Sequence, residues 1–150
     1  MTEARKARAV GINHVALEVG DIDEALAFYG QFIEFSLRGR SETMAFIDLG
    51  DQFIALSKVD SQPRDHDRHF GLVVDDKEAV RRKIDEVGIE IVSERFMDFY
   101  DPWGNRIEVV GYDGIQFSKA DHVLAGMGMR DLGKTEKALK ELSDKGMVPK

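Results

Sequence analysis

Asp101-Pro-Trp-Gly-Asn-Arg-Ile-Glu-Val-Val110 holds two turn dipeptides, Asp-Pro and Gly-Asn, followed by an apolar run. The stretch reads as a tight turn feeding a strand. In that strand Ile107 and Val109 share one face, and Glu108 and Val110 share the other. A carboxylate among apolar strand neighbours is costly to bury unless a cation or hydrogen bonds compensate it. Glu108 therefore faces either solvent or something positive. Two histidines at matching places in the chain favour the second alternative.

Those places come from a repeat. His14-Val-Ala-Leu-Glu-Val-Gly-Asp21 lies over His69-Phe-Gly-Leu-Val-Val-Asp-Asp76, and Gly50-Asp…Ile54-Ala-Leu lies over Gly104-Asn…Ile107-Glu-Val. In the first copy, Ile12–Val19 alternates as a strand with His14, Ala16 and Glu18 on one face. Asp21 or Asp23 can cap a helix carried by Ile22, Ala25, Leu26, Phe28, Tyr29, Phe32 and Ile33. Short strands follow at Phe35–Arg38, Met44–Leu49 and Phe53–Val59, separated by glycine turns. In the second copy, Asp75-Asp76 caps a helix buried along Ala79, Val80, Ile84 and Val87 and stopped at Gly88. Strands are expected at Ile89–Val92, near Phe96–Tyr100 and at Arg106–Gly111. Ser61–Arg68 is polar, contains a proline, and is the one convincing linker.

The expectation is an α+β fold of two βαβββ modules, about 50 residues each. Residues 10–60 form the first, 68–111 the second, and 112–150 a C-terminal extension. Neither module could easily bury a sheet face alone, so the two should pair into one curved mixed sheet or partial barrel. Four positions are then equivalent: His14, Ala55, His69 and Glu108. Two neutral imidazoles and a carboxylate carry a net charge of −1 and suit a divalent cation with open coordination positions. His66 belongs to the polar linker and should be exposed; His122 lies in the tail.

Composition removes other classes. With no cysteine among 150 residues there are no disulfides, thiol nucleophiles or cysteine-ligated metals. A formal charge of −7 argues against a general nucleic-acid binder. Arg81-Arg82-Lys83 is the only basic triplet and reads as a solvated helix face. No apolar run approaches the roughly 20 residues that span a membrane. The charged start, Met1–Arg8, is not followed by a signal-like apolar segment, and a cytoplasmic protein is expected. Gly126-Met-Gly-Met-Arg-Asp131 lacks the third glycine of a dinucleotide loop. In the extension, Leu132–Lys145 reads as a helix ended by Gly146.

The pattern resembles the vicinal oxygen chelate superfamily: glyoxalase I, methylmalonyl-CoA epimerase, fosfomycin-resistance enzymes and extradiol dioxygenases. The resemblance covers roughly residues 10–111. It rests on Asn13-His-Val-Ala-Leu17, Ala27-Phe-Tyr29, His69-Phe-Gly-Leu-Val73 and Asp101-Pro-Trp-Gly-Asn-Arg-Ile-Glu108. It implies paired modules around a metal that chelates two substrate oxygens, with His14, His69 and Glu108 as ligands. Fe(II) or Mn(II) is expected ahead of Zn or Ni. It implies a dioxygenase-like or lyase/transferase reaction on a small molecule. The alternatives are a drug-sequestering protein of the bleomycin-resistance type and a glyoxalase/epimerase-type isomerase.

Departures narrow the choice. Glyoxalases and epimerases carry Glu or Gln where this chain has Ala55. The fosfomycin enzymes have a threonine at the place of Ala16 and an arginine at that of Phe117. The dioxygenase tyrosine is Asp98 here. Tyr100 and Asp98 are the candidate catalytic residues, with Asp48 as a further base or outer partner. Phe46, Phe53, Phe99 and Trp103 are candidate cavity walls. A homodimer is expected, and the modules of a site could come from one chain or from two. If exchanged, His14 of one chain joins His69 and Glu108 of the other.

Overall fold

The computed structural model describes residues 6–8 and 10–148, so most of the charged leader lies outside the described residues. The first module runs β1 (His14–Val19), α1 (Ile22–Gly30), β2 (Leu37–Arg40), β3 (Met44–Asp48) and β4 (Phe53–Lys58). The second runs β5 (Phe70–Val74), α2 (Lys77–Val87), β6 (Asp98–Tyr100) and β7 (Arg106–Gly111). Asp21 caps α1 by accepting from the Glu24 amide, and Asp76 caps α2 by accepting from that of Ala79. Gly88 ends α2 in the left-handed conformation. The expected α+β architecture is present as two mixed sheets, ordered β1-β4-β3-β2 and β5-β7-β6.

The two sheets do not join within one chain into the curved sheet that the repeat suggested. They share a core instead. Leu17, Val19, Ile47, Ile54 and Leu56 from one sheet pack in the same cluster as Leu72, Phe99, Ile107 and Val109 from the other. Helix α1 adds Ile22, Ala25 and Tyr29, and α2 adds Val80 and Ile84. Each fully buried aliphatic side chain contributes about 1.5–3 kcal/mol, so this shared core holds the modules together. On the opposite face of the first sheet, His14, Ala16 and Glu18 of β1 are exposed.

One expected strand is absent. Ile89–Val92 forms no strand: its Val92 amide donates to the Asp98 carbonyl at 2.7 Å, and the next residue, Ser93, makes an isolated bridge to Asp98. After Gly88 the chain turns tightly over 93–97, closed by the Met97 amide on the Ser93 carbonyl at 2.9 Å. Met97 accepts a left-handed φ of 47° there and is 1% exposed. Burying that side chain offsets the backbone strain, and local alternation loses to tertiary packing.

The turn before β7 ties the modules together. Asp101 is 4% exposed, yet its carboxylate accepts four hydrogen bonds. The donors are the Tyr29 hydroxyl at 2.7 Å, the Trp103 and Asn105 amides at 2.9 Å and the Asn105 side chain at 2.8 Å. Asn105 also donates to the Glu18 carbonyl on β1 at 2.9 Å. Burial, then the neighbouring Asp101, pushes the Tyr29 hydroxyl well above its ordinary pKa.

The extension contains a 3-10 turn at Tyr112–Gly114, α3 (Asp121–Gly126) and α4 (Glu136–Asp144). Helix α4 is shorter than expected at its start, because Thr135 caps it through the Ala138 amide. Gly146 follows the cap with φ +70°, and the Met147 amide returns to the Leu142 carbonyl at 2.8 Å. The extension folds back on its own chain. Lys119 pairs with Asp51, and a Cβ at Gly50 would lie 2.5 Å from Sδ of Met127, the residue that ends α3. Lys134 Nζ donates to the carbonyls of Tyr112, Ile115 and Phe117 and sits 3.6 Å from the Tyr112 ring centre. Burial lowers its pKa from the ordinary lysine value. Lys134→Met is expected to cost about 1–3 kcal/mol, because charged-donor hydrogen bonds are lost and carbonyls are left bare. Limited proteolysis should then cut the 115–135 segment sooner while both modules stay folded. Unchanged cleavage there would show that Lys134 does not hold the extension.

Candidate functional site

The sequence overlay survives at the level of register. In β1–β4, the residue two beyond His14, Ala16, pairs with Ala55. In β5–β7, the residue two beyond His69, Gly71, pairs with Glu108. Side chains two apart share a face, so His14 stands to Ala55 as His69 stands to Glu108. His69 lies one residue before β5, and its Nε2 approaches Glu108 Oε2 to 3.4 Å. A Cβ on Gly71 would meet nothing within 4 Å, so the space beside the pair is open.

His14 is elsewhere. Its ring stacks on Phe53 of β4, with centroids 4.8 Å apart and planes at 7°. The Arg38 guanidinium lies over the same Phe53 ring at 4.7 Å, and Phe46 meets that ring edge-on. Next to them is an open cleft of about 330 Å³ lined by Asn13, Arg38, Asp48, Gly50, Asp51, Gln52 and Phe53. Asp48 lies on this face with its Oδ1 accepting from the Gly50 amide at 2.7 Å. Among the described residues, no three His, Asp or Glu side chains of one chain come together as a metal-holding group. One chain therefore presents two separate half-sites: His14 on the first sheet, His69 with Glu108 on the second.

The two histidines are prepared in the same way. His69 Nδ1 lies 2.7 Å from the Asp67 carbonyl, which can only accept, so Nδ1 carries the proton. His14 Nδ1 lies 2.9 Å from Asn13 Oδ1, another acceptor. That leaves Nε2 of His14 without a partner among the described residues, whereas Nε2 of His69 faces the Glu108 carboxylate. A histidine anchored through one nitrogen to an oxygen, with the other turned toward an open face, is the arrangement found in metal ligands. The donor set fits a divalent cation.

Asp98 and Tyr100 both fall on the Glu108 face, Asp98 directly opposite Glu108 in the register. Both are already engaged. The Tyr100 hydroxyl donates to the Asp65 carbonyl at 2.8 Å, and Arg64 covers its ring at 3.7 Å. Asp98 is 3% exposed and pairs through Oδ2 with Arg106, whose Nε donates at 2.7 Å. That carboxylate holds the Arg106 guanidinium above its ordinary pKa. Of the candidate cavity walls, Phe46 and Phe53 are on an open face. Phe99 is 2% exposed in the core, and Trp103 packs against Gly20. His66 and His122 are exposed and outside both half-sites.

Sequence reasoning missed Arg106, Asn13 and the linker. Arg106 could have been found, since it precedes Glu108 by two residues and so shares its face. The linker, residues 61–68, is strapped across the 101–105 turn. Gln62 donates to the Trp103 carbonyl at 2.7 Å, and the Asp65 amide donates to that of Gly104 at 2.9 Å.

Comparison with known proteins adds the family. Residues 11–109 match the model of the Glyoxalase/Bleomycin resistance protein/Dioxygenase superfamily. A glutathione transferase FosA from Serratia marcescens is 24% identical over 110 residues, covering 65% of this chain and 78% of that protein. The fosfomycin resistance protein FosX of Listeria monocytogenes, solved with Mn(II) and sulfate, superposes with TM-score 0.61 at 18% identity. It covers 89% of this chain and 98% of that one, so the likeness reaches past the repeat into the extension. A lactoylglutathione lyase from Agrobacterium tumefaciens gives TM-score 0.57 at 22% identity, over 71% of this chain and 96% of that one. No helix among the described residues is long and apolar enough to cross a membrane.

Proposed function

Because the chain belongs to the glyoxalase/bleomycin resistance protein/dioxygenase superfamily, we propose that it is a divalent-metal-dependent enzyme. Its substrate is a small molecule presenting two vicinal oxygens. The observation that carries this reading is the shared anchoring of His14 and His69, each tied through Nδ1 to an oxygen, with Glu108 3.4 Å from Nε2 of the second. The site is completed in a homodimer: His14 of one chain meets His69 and Glu108 of the other. Two exposed, complementary half-sites on one chain support that exchange, because two-fold pairing completes both at once.

When bound there, Fe(II) or Mn(II), ahead of Zn(II) or Ni(II), would supply Lewis-acid chemistry, lowering the pKa of a hydroxyl or polarising a carbonyl. The protein's own part is to hold the substrate's oxygens at the Glu108 face. Phe46 and Phe53 shield them, and the cleft beside Arg38 receives the polar remainder. The reaction is of the dioxygenase-like or lyase/transferase kind, the latter in line with the glutathione transferase relative. Ala55 works against proton-shuttling isomerisation. It occupies the place equivalent to Glu108 and is 4% exposed, and a methyl group moves no proton.

Metal analysis of protein purified without oxygen tests this. About one divalent ion per chain is expected, as a site of three protein ligands requires. No metal, even after reconstitution, would leave a sequestering protein with a polar cleft in place of an enzyme.

A further inference from the structure

The open cleft beside His14 carries two charges that nothing in the described chain neutralises. Three of its lining residues are charged: Arg38, Asp48 and Asp51. Asp51 is answered by Lys119 from the extension. Arg38 and Asp48 form no ion pair, with each other or with any other described residue. The chain holds 28 acidic side chains against 21 basic ones, so Arg38 is not unpaired for want of carboxylates. With Asp51 answered, the cleft is left with one positive and one negative group.

Both charges are held in place. Asp48 Oδ1 accepts from the Gly50 amide at 2.7 Å, which leaves Oδ2 without a partner among the described residues. The Arg38 guanidinium lies 4.7 Å from the centre of the Phe53 ring, an attraction that steadies a cation without using its N–H donors. Register sets where the two stand. His14 pairs with Phe53 across β1 and β4, and Phe53 pairs with Asp48 across β4 and β3, so the three form one row on the open face. His14 and Asp48 are therefore two strand spacings apart, ~10 Å. The sheet order β1-β4-β3-β2 brings Arg38 to the ring from the Asp48 side, away from His14.

We propose that this end of the cleft recognises a dipolar head group, an anion and an ammonium on one small molecule, as in an aminocarboxylate. Arg38 receives the carboxylate through paired N–H donors, and Asp48 receives the ammonium. The same two residues work against other ligands. A phosphate or a simple carboxylate gains Arg38 and is repelled by Asp48, and a simple amine gains Asp48 and is repelled by Arg38. Asp48 then serves recognition, not proton transfer. For the other end of the substrate this rests on the proposed function: vicinal oxygens at the metal, with the dipolar head ~10 Å away.

The test uses the full chain freed of metal, so that no probe can bind through a cation. Amide proton–nitrogen spectra follow Gly50, Gln52 and Phe53 while four probes are titrated: 4-aminobutanoate, butanoate, butylammonium and inorganic phosphate. 4-Aminobutanoate is expected to bind about tenfold tighter than each of the others. In Asp48→Asn it should bind no tighter than butanoate, and in Arg38→Met no tighter than butylammonium, two different losses that a general failure of the fold does not produce. Should either variant fail to fold, the four wild-type affinities decide. Butanoate or phosphate bound as tightly as 4-aminobutanoate, unchanged selectivity in folded variants, or no shift of these amides with any probe would overturn the proposal. Titration of the same wild-type protein with Mn(II) separates this from the metal reading. Selective binding of 4-aminobutanoate by a chain that takes up no Mn(II) refutes the metal and leaves the recognition site standing.

Discussion

Asp101→Ala is expected to destabilise the protein by about 3–5 kcal/mol, a large share of a typical domain's total. The carboxylate is 4% exposed and is the shared acceptor for the Tyr29 hydroxyl, two backbone amides and the Asn105 side chain. Truncation strands all of these donors in a dry interior at once. For a chain of this length the melting temperature should fall by about 10 °C or more. Tyr29→Phe removes one donor and leaves the carboxylate three others, so about 1–2 kcal/mol is expected. The same contact predicts an alkaline limb. The Tyr29 pKa is raised by burial and then by Asp101, above the ordinary tyrosine value of about 10. Its contribution is whole below that value and declines as pH rises and only the unfolded chain ionises. Thermal melts of the three proteins across pH 7–11 would check this, and an Asp101→Ala variant as stable as wild type would remove the turn from its central place.

Glu108→Ala is expected to abolish metal retention, lowering divalent-ion affinity by more than about a hundredfold, beyond what loss of an outer partner costs. Glu108 is the only anionic member of the proposed ligand set, and two neutral imidazoles alone leave a dication uncompensated. The fold should survive, because Glu108 lies on the open face of β7 while Ile107 and Val109 face the core. Removing the carboxylate also frees His69 Nε2 from its 3.4 Å neighbour, so no buried charge is stranded. Calorimetric titration with Mn(II) distinguishes the outcomes: wild-type-like affinity in Glu108→Ala would place the metal elsewhere.

Much of the fold could be read before any coordinates. Strand alternation and the two capping aspartates depend on neighbours close in sequence, and Asp21, Asp76 and Gly88 took the expected places. Internal repetition added long-range information, since it implied that His14 and His69 hold equivalent registers. The failures are non-local. Ile89–Val92 alternates well enough for a strand, but burial of Met97 draws the following residues into a turn. The linker looks like a solvated connection by composition, and only the Tyr100 and Arg106 side chains, more than 30 residues later, show it to be docked. Period-two alternation put Asp98 and Tyr100 on the right face and could not say what they hold. Nor could one sequence decide whether His14 and His69 meet within a chain.

That question has a direct measurement. His14→Ala and Glu108→Ala chains carrying different tags would be produced together and the mixed dimer isolated through both tags. With exchanged modules, one site of the mixed dimer has lost two ligands, and the other keeps His14 from one chain and His69 with Glu108 from its partner. The mixed dimer should therefore bind about half the wild-type amount of metal, while either parent dimer binds none. A mixed dimer as empty as its parents would contradict a site shared between two chains.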